Sequence, residues 1–507
     1  MTDFLRSFRA ARRVSTPLVA VRTPDPAASI KGILESLKAE TEEQNTPALL
    51  WDVCSGLTGL NPLGIDAANI ANDGEDPGKV TARPSEMLRA AAKLPADSVV
   101  FMSNAHRFWS NEVVTQGVWN LRNSYKEEGR LLVLLTTLGA ILPLELGNDV
   151  LVLDEPLPTV QDLDLIVKES FTNFGLPIPA REIADKATDA LIGLAAFPAE
   201  QAAAMCMSKA NGLDTALLWE RKRQAIEQVK GLKVWRGEDT FSDLGGLTSL
   251  KNYLQRVLRG KKRVRLVVFL DELEKSFAGT GTDLSGTKTD MTGTFLTWMQ
   301  DKRARGVMFI GHPGTGKSAV AKAMGNEAGV PTVMFDFSGM QASLVGESGA
   351  NLRAALAVID AMSQGGAFFV ATSNNLAALP PELKRRFKRG TWFFDLPTAE
   401  ERASLWKIYR VKHNISADDK EPPCDGWTGA EIESCCETAD ELEVNLHEAA
   451  EYIVPISRSS SEAIKQLCEF ANNRFLSVSE PGTYRIQAPK AITGSGRRIR
   501  GEGAATI

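Results

Sequence analysis

The sequence predicts an α/β protein made of two related modules in tandem. Each is a parallel sheet flanked by helices, and each is followed by a helical segment. Three observations carry this. A glycine-rich loop sits between an apolar strand and an apolar-rich helix near residue 311. A pattern of strand, linker and strand in the first half recurs in the second. The chain also has 507 residues, 43% hydrophobic and 24% charged, which is globular in composition and long enough for three or four domains.

Bulk properties narrow the setting. A net charge of −5 argues against a protein that coats nucleic acid. The basic start MTDFLRSFRAARR has no apolar core or cleavage site, so it does not read as a secretory signal. The longest uncharged apolar run, Leu131 to Leu144, is too short to cross a bilayer and contains Gly139 and Pro143; it reads as a buried strand and its exit. Cys54, Cys206, Cys424, Cys435, Cys436 and Cys468 form no CxxC pair, so buried reduced thiols in a cytoplasmic chain are expected. Four histidines far apart in sequence weigh against a zinc site.

In chain order, TPLVAVRTPD supplies the first strand of the first module, with no glycine loop after it. Residues 70–84 read as a loop. The segment LLVLLTTLGAILPLELGNDVLVLDEPLP (131–158) then matches FFVATSNNLAALPPELKRRFKRGTWFFDLP (368–397): strand, polar pair, Leu-Pro-x-Glu-Leu, strand, Asp, Pro. LIGLAAFPAEQAAAMC (191–206) pairs in style with CDGWTGAEIESCCETA (424–439). The expected division is therefore 1–158 for the first module and 159–236 for a helical segment and linker. The second module follows at 237–397, with a helical lid at 398–477 and a flexible tail at 478–507. Residues 275–292, rich in Gly, Thr and Asp, read as a mobile loop.

The chemistry concentrates in VMFIGHPGTGKS (307–318). Gly311, then Pro313, Gly314 and Thr315, then Gly316-Lys317-Ser318 is the spacing of a phosphate-binding loop between strand and helix. Glycines let backbone N–H groups turn toward phosphate oxygens, and the helix N-terminus adds its positive end. Lys317 reaches the β- and γ-phosphates and Ser318 ligates Mg²⁺, so ATP and Mg²⁺ are the expected cofactors. The site also needs an acid at a strand end. No apolar run ending in Asp-Glu follows the loop, and two precede it: Asp154-Glu155 and Asp271-Glu272. In the register of the repeat Asp154 falls with Asp395, on the last strand of its module. That leaves Asp271-Glu272, a charged pair closing a buried apolar strand, which is costly unless used.

With these residues in place, the second module resembles the AAA+ ATPases. TFSDLGGLTSLKNYL (240–254) is similar to their opening segment, VVFLDE to Walker B, ATSNN to the sensor-1 strand and WTGAEI to the sensor-2 segment. DELEKSFAG, GTFLTWMQDK, LVGES and ALPPEL are similar to phrases of the hypothetical chloroplast frame AAA ATPases of cyanobacteria and plastids. These also join a degenerate module to an active one. One departure is large: here the Walker B block precedes the glycine loop. The expectation is an unchanged site with altered connectivity, because units of a parallel sheet can skip a neighbour.

The resemblance implies roles. Asp271 holds Mg²⁺ through water, Glu272 polarises the attacking water, and Asn374 orients it. Gly245, Gly246, Gly429 and Ala430 flank the base and ribose. Arg385 and Arg386 match the region whose arginine reaches a neighbouring subunit's γ-phosphate, and which of them acts stays open. Arginines acting in trans imply a homo-hexameric ring. Leu344-Val345-Gly346 stands where threading members carry an aromatic pore loop, and Leu344 replaces the aromatic. Three kinds of work stay open: remodelling a protein partner, a nucleotide-gated scaffold, or a nucleic-acid-associated ATPase, for which no basic, aromatic-interleaved stretch argues.

Overall fold

A computed structural model describes residues 3–38, 46–137, 140–277, 287–340, 347–375 and 379–486. The chain divides into two compact units, residues 1–232 with 339–365, and residues 233–338 with 366–507.

In the first unit the strands are β1 (Leu18–Arg22), β2 (Ala48–Asp52), β3 (Gly56–Gly59), β4 (Val99–Met102), β5 (Leu131–Thr136) and β6 (Leu151–Asp154), in the spatial order β3-β2-β4-β5-β1-β6. All neighbours are parallel except β3, which turns back on β2. β1, β4 and β5 are near-continuous apolar runs because helices cover both faces of a parallel sheet; Val19, Phe101 and Val133 face one layer and Ala20, Val100 and Leu134 the other. Where a phosphate loop would follow β1, the chain carries Thr23, Asp25 and Pro26. The Asp25 carboxylate accepts from Ala28 N at 3.1 Å, and Ser29 Oγ donates to the Glu155 carboxylate. Side chains thus occupy the turn that phosphates would need. Asp154 pairs with Arg22 at 3.4 Å at the end of the edge strand.

Four helices between Val160 and Glu227 form a separate core, interrupted by a short hairpin of β7 (Met207–Ser208) and β8 (Gly212–Leu213). The helix Glu347–Ser363 belongs to this unit. Gln364 Nε2 donates to Pro158 O at 3.1 Å, and the backbone of Met362 lies so close to Gly193 that a Cβ there would meet it at 2.7 Å. The sequence reading had placed this helix in the second module. Residues 70–84 are also not all loop, since Pro77–Val80 is a helical turn capped by Asp76.

The second unit carries β9 (Leu232–Val234), β10 (Leu266–Leu270), β11 (Arg305–Gly311), β12 (Thr332–Phe335), β13 (Ala367–Ser373), β14 (Thr391–Phe394) and β15 (Leu476–Ser477). Their spatial order is β15-β14-β11-β13-β10-β12-β9. The five middle strands repeat the spatial plan of the first unit, with one exchange in chain order. The place filled in the first unit by its fourth strand, β4, is filled here by β10, which comes before β11 in the chain. β12 is four residues long and escaped the sequence reading. Residues 275–277 and 287–292, read as loop, are helical, within Leu273–Phe277 and Thr287–Asp301.

The helical segment after β14 has its own core around Trp406, Trp427, Ile432, Cys435 and Cys436. The tail reading fails for residues 478–486. Val478 is buried in the sheet's core, Ser477 N donates to Gly482 O at 2.9 Å, and Tyr484 is buried. Cys54 is exposed, against the expectation of buried thiols. Among the described residues no helix is long and apolar enough to cross a membrane.

Candidate functional site

The glycine loop leaves β11, turns at Gly314 (φ 75°) and Gly316 (φ 90°), and enters the helix Lys317–Ala328. Left-handed backbone at both positions excludes a side chain at little cost only for glycine. Gly314 is also crowded, since a Cβ there would lie 2.8 Å from Thr428 Oγ1. The loop's side chains bond to its own carbonyls: Lys317 Nζ donates to Gly311 O at 2.9 Å and to His312 O at 2.5 Å, and Thr315 Oγ1 donates to His312 O at 2.8 Å. Lys317 is 7% exposed. Burial pushes its ammonium down to about 8, opposed by the pull of Glu274, Asp271 and Glu272.

β10 ends directly beside this loop. Asp271 Oδ1 accepts from Ser318 Oγ at 2.9 Å and from Thr372 Oγ1 at 2.6 Å. Residues from β10, β13 and the loop helix, scattered over 101 positions, therefore meet at one carboxyl edge, where parallel sheets bind ligands. Glu272 sits at φ 45°, an uncommon conformation for a side chain other than glycine, and its N–H donates to Thr372 Oγ1 at 2.9 Å. Its carboxylate pairs with Lys275 at 2.5 Å. Asn374 N donates to Glu274 Oε1 at 2.9 Å, while Asn374 Oδ1 is buried with no partner among the described residues. A buried amide oxygen without a partner, on a residue that shares the cleft wall with Asp271 and Glu272, is where an ordered water or ligand is owed.

These groups line a cleft of about 490 Å³, the size of a small-ligand site. Its walls include Gly245, Asp271, Glu272, Pro313 to Ser318, Asn374, Gly429 and Ala430. Gly246 and Gly311 stand outside that lining. Gly311 instead lines a second cavity with His312. Ala430 N donates to Gly314 O at 3.2 Å, which docks the helix Gly429–Leu442 on the loop. Sequence reasoning missed Thr372, Leu405, Tyr409, Glu433, Val478 and Ser479 in the walls. Thr372 stood inside the quoted ATSNN and could have been read from its place between β13 and the acids. The others carry no spacing signal. Arg385 and Arg386 are absent from the lining; Arg386 Nη2 donates to Gln300 Oε1 at 2.7 Å. Leu344-Val345-Gly346 lies outside the described residues.

A family model described as "SpoVK-like AAA ATPase, N-terminal domain" matches residues 4–155, and one described as "ATPase family associated with various cellular activities (AAA)" matches residues 307–365. Over 530 aligned residues the chain is 21% identical to the "Uncharacterized AAA domain-containing protein ycf46" of Guillardia theta, covering 93% of this chain and 95% of that protein. Both matched segments of the chain therefore carry AAA ATPase sequence. A second relative of the same description, from Pyropia yezoensis, is 22% identical and covers 98% of each chain. The second match is short. It opens on β11 and stops before β13, so it includes the loop and β12 and leaves out β10.

Proposed function

We propose that this chain hydrolyses ATP in its second module as AAA+ ATPases do, with the Walker B strand moved ahead of the glycine loop and the site otherwise unchanged. The observation that carries the reading is the 2.9 Å contact between Ser318 Oγ and Asp271 Oδ1, made between a loop and an acid whose chain order is reversed. The oxygen donors suit Mg²⁺, which prefers oxygen ligands and keeps waters. Ser318 would hold the ion directly and Asp271 through water, and the ion when bound neutralises charge on the β- and γ-phosphate oxygens.

In this reading the loop N–H groups and Lys317 bind the phosphates, with Lys317 exchanging its two carbonyl partners for phosphate oxygens. Glu272 accepts the proton of the attacking water, and must first exchange its Lys275 partner for that water. Asn374 Oδ1, lacking a partner now, orients the same water. Gly245, Gly246, Gly429 and Ala430 stand near the base and ribose. Arg385 or Arg386 completes the site of a neighbouring subunit, in keeping with their position off the chain's own cleft. The first module, whose loop position is filled by Asp25, Ser29 and Glu155, serves as a docking module and binds no nucleotide. The assembly acts as a ring, a hexamer by family likeness, that remodels a protein partner. Leu344, where threading members carry an aromatic, favours a second reading in which hydrolysis resets a scaffold.

The test is an ATP hydrolysis assay on the full chain beside Lys317→Ala, followed by mixing Glu272→Gln with Arg386→Ala subunits. Hydrolysis lost in Lys317→Ala, and poisoning or complementation on mixing, is expected. No hydrolysis by the parent chain overturns the enzyme reading, and strictly additive mixtures overturn the shared site. Substrate-stimulated hydrolysis with unfolding of a tagged protein supports the remodeller, whereas nucleotide-dependent assembly without unfolding supports the scaffold.

A further inference from the structure

At the start of the glycine loop three donors of different kinds converge, one of them, Asp395, also in the wall of the cleft that holds Ser318 and Asp271. His312 is the loop residue after Gly311, Asp395 follows β14, and Cys468 lies on the helix Ser461–Ala471. One ligand atom from each lies within 4.8 Å of the other two. Cys468 Sγ is 3.7 Å from His312 Nε2 and 3.5 Å from Asp395 Oδ1. We propose that His312, Asp395 and Cys468 form a binding site for a zinc-class divalent cation, separate from the nucleotide's magnesium.

The distances suit the ion. Zinc bonds of about 2.3 Å to sulfur and about 2.1 Å to nitrogen or oxygen, set at the tetrahedral angle, place sulfur about 3.6 Å from each of the other two ligands. The arrangement is radial: both Asp395 and His312 face the sulfur. A nucleophile with a base and an orienting acid would need the three in series, with the carboxylate on the far imidazole nitrogen. The donor set selects the metal. One thiolate, one imidazole and one carboxylate favour zinc or cobalt, whereas magnesium and calcium take oxygen alone. On binding, the thiol gives its proton to solvent, so thiolate and carboxylate together balance the two positive charges of the ion in a mostly buried place.

The surroundings are those of a held ligand set. Tyr484 Oη donates to Asp395 Oδ2 at 2.6 Å, and Leu396 N donates to Oδ1 at 2.8 Å, which fixes the carboxylate's plane. His312 is 3% exposed, and its ring meets Phe393 edge-on at 6.0 Å. The second cavity opens beside it, lined by Ile456, Ile464, Leu467 and Phe470, and gives an entry path and room for a water as fourth ligand. Residues 312, 395 and 468 are too dispersed for a sequence motif, which is why four scattered histidines argued against zinc.

The experiment is cobalt titration of the full chain, freed of metal by chelator, followed by zinc displacement. One cobalt per chain with a thiolate-to-cobalt absorption band is expected, displaced by equimolar zinc. Cys468→Ser should remove the band, while Cys54→Ser and Cys424→Ser keep it. Tyr484→Phe should weaken binding about 10–100-fold, the usual effect of losing a partner of a metal ligand. Circular dichroism on each variant separates lost binding from lost folding, and His312→Ala gives a second ligand deletion if Cys468→Ser does not fold. A parent chain showing no band at stoichiometric cobalt, or a band that survives in folded Cys468→Ser or His312→Ala, overturns the site. None of these readouts depends on hydrolysis.

Discussion

Nucleotide binding is expected to take up a proton above neutral pH, because Lys317 enters the reaction partly uncharged. Burial holds its ammonium at about 8 in the free protein, below the ordinary 10.5. Bound phosphates supply the charge that burial withholds, and return the group to its ordinary range. By linkage, the fraction protonated in the free protein falls from about 0.9 at pH 7 to about 0.1 at pH 9, while the bound form stays almost fully protonated at both. Binding therefore takes up about 0.1 proton at pH 7 and about 0.9 at pH 9, and the dissociation constant rises about tenfold between them, or about 1.4 kcal/mol. Calorimetry at each pH in two buffers of different ionisation enthalpy measures the uptake directly. A non-hydrolysed ATP analogue keeps turnover out of the signal. Lys317→Gln should bind more weakly at pH 7 and lose the slope. Equal affinity at both pH values without proton uptake would falsify the claim that Lys317 is desolvated before it meets phosphate.

Three further outcomes follow from named contacts. Glu272→Gln is expected to keep ATP binding while hydrolysis falls about 10²–10⁴-fold, the usual contribution of a positioned general base; filter binding beside phosphate release checks both halves. Thr428→Ala removes the hydroxyl that accepts from Glu431 N at 3.4 Å, leaving the backbone N–H at 428 to donate to Glu431 Oε2 as before, and should cost about 1 kcal/mol in urea unfolding. Gly325→Ala puts a methyl 2.2 Å from Thr332 Oγ1 and 2.6 Å from Val330 O. The overlap is expected to destabilise by about 1–3 kcal/mol, more than alanine's helix preference returns. A Gly325→Ala melting temperature equal to or above the parent's would contradict it.

Much of the fold was legible because buried parallel strands announce themselves. Leu18–Arg22, Leu131–Thr136 and Leu266–Leu270 are uninterrupted apolar runs or nearly so, and the glycine loop is fixed by a spacing that few other tasks require. The repeat gave the register that set Asp154 aside, and Asp154 does end the edge strand β6. Other features had no local signal. β12 is too short for periodicity. Val478 and Tyr484 are single apolar positions in a polar stretch, buried only because the chain returns to the sheet. The helix Glu347–Ser363 reads as a plain continuation into β13, and only its approach to Pro158 and Gly193 assigns it to the first unit. Leu405, Tyr409 and Glu433 reach the cleft through helix packing that no pairwise spacing encodes, and His312 meets Cys468 across 156 residues.

The helical segment between β14 and β15 is hung at both ends on the same edge of the sheet. β14 and β15 are parallel neighbours, with Trp392 opposite Leu476 and Phe393 opposite Ser477. A segment held by two adjacent pivots has one easy motion, a swing about the line joining them, as a door has. That axis divides the cleft. Leu405, Tyr409, Gly429 and Glu433 belong to the leaf that swings, while Val478 and Ser479, past the second pivot, stay with the frame. Ser479 Oγ donates to Glu401 Oε1 at 2.7 Å and Leu247 N to the same oxygen at 3.1 Å. Glu401 thus joins the leaf to the frame close to the hinge line, where the least travel is asked of a hydrogen bond. Opening by rotation would keep that latch while parting the contacts farther out, the Ala430 N–Gly314 O bond and the approach of Cys468 to His312.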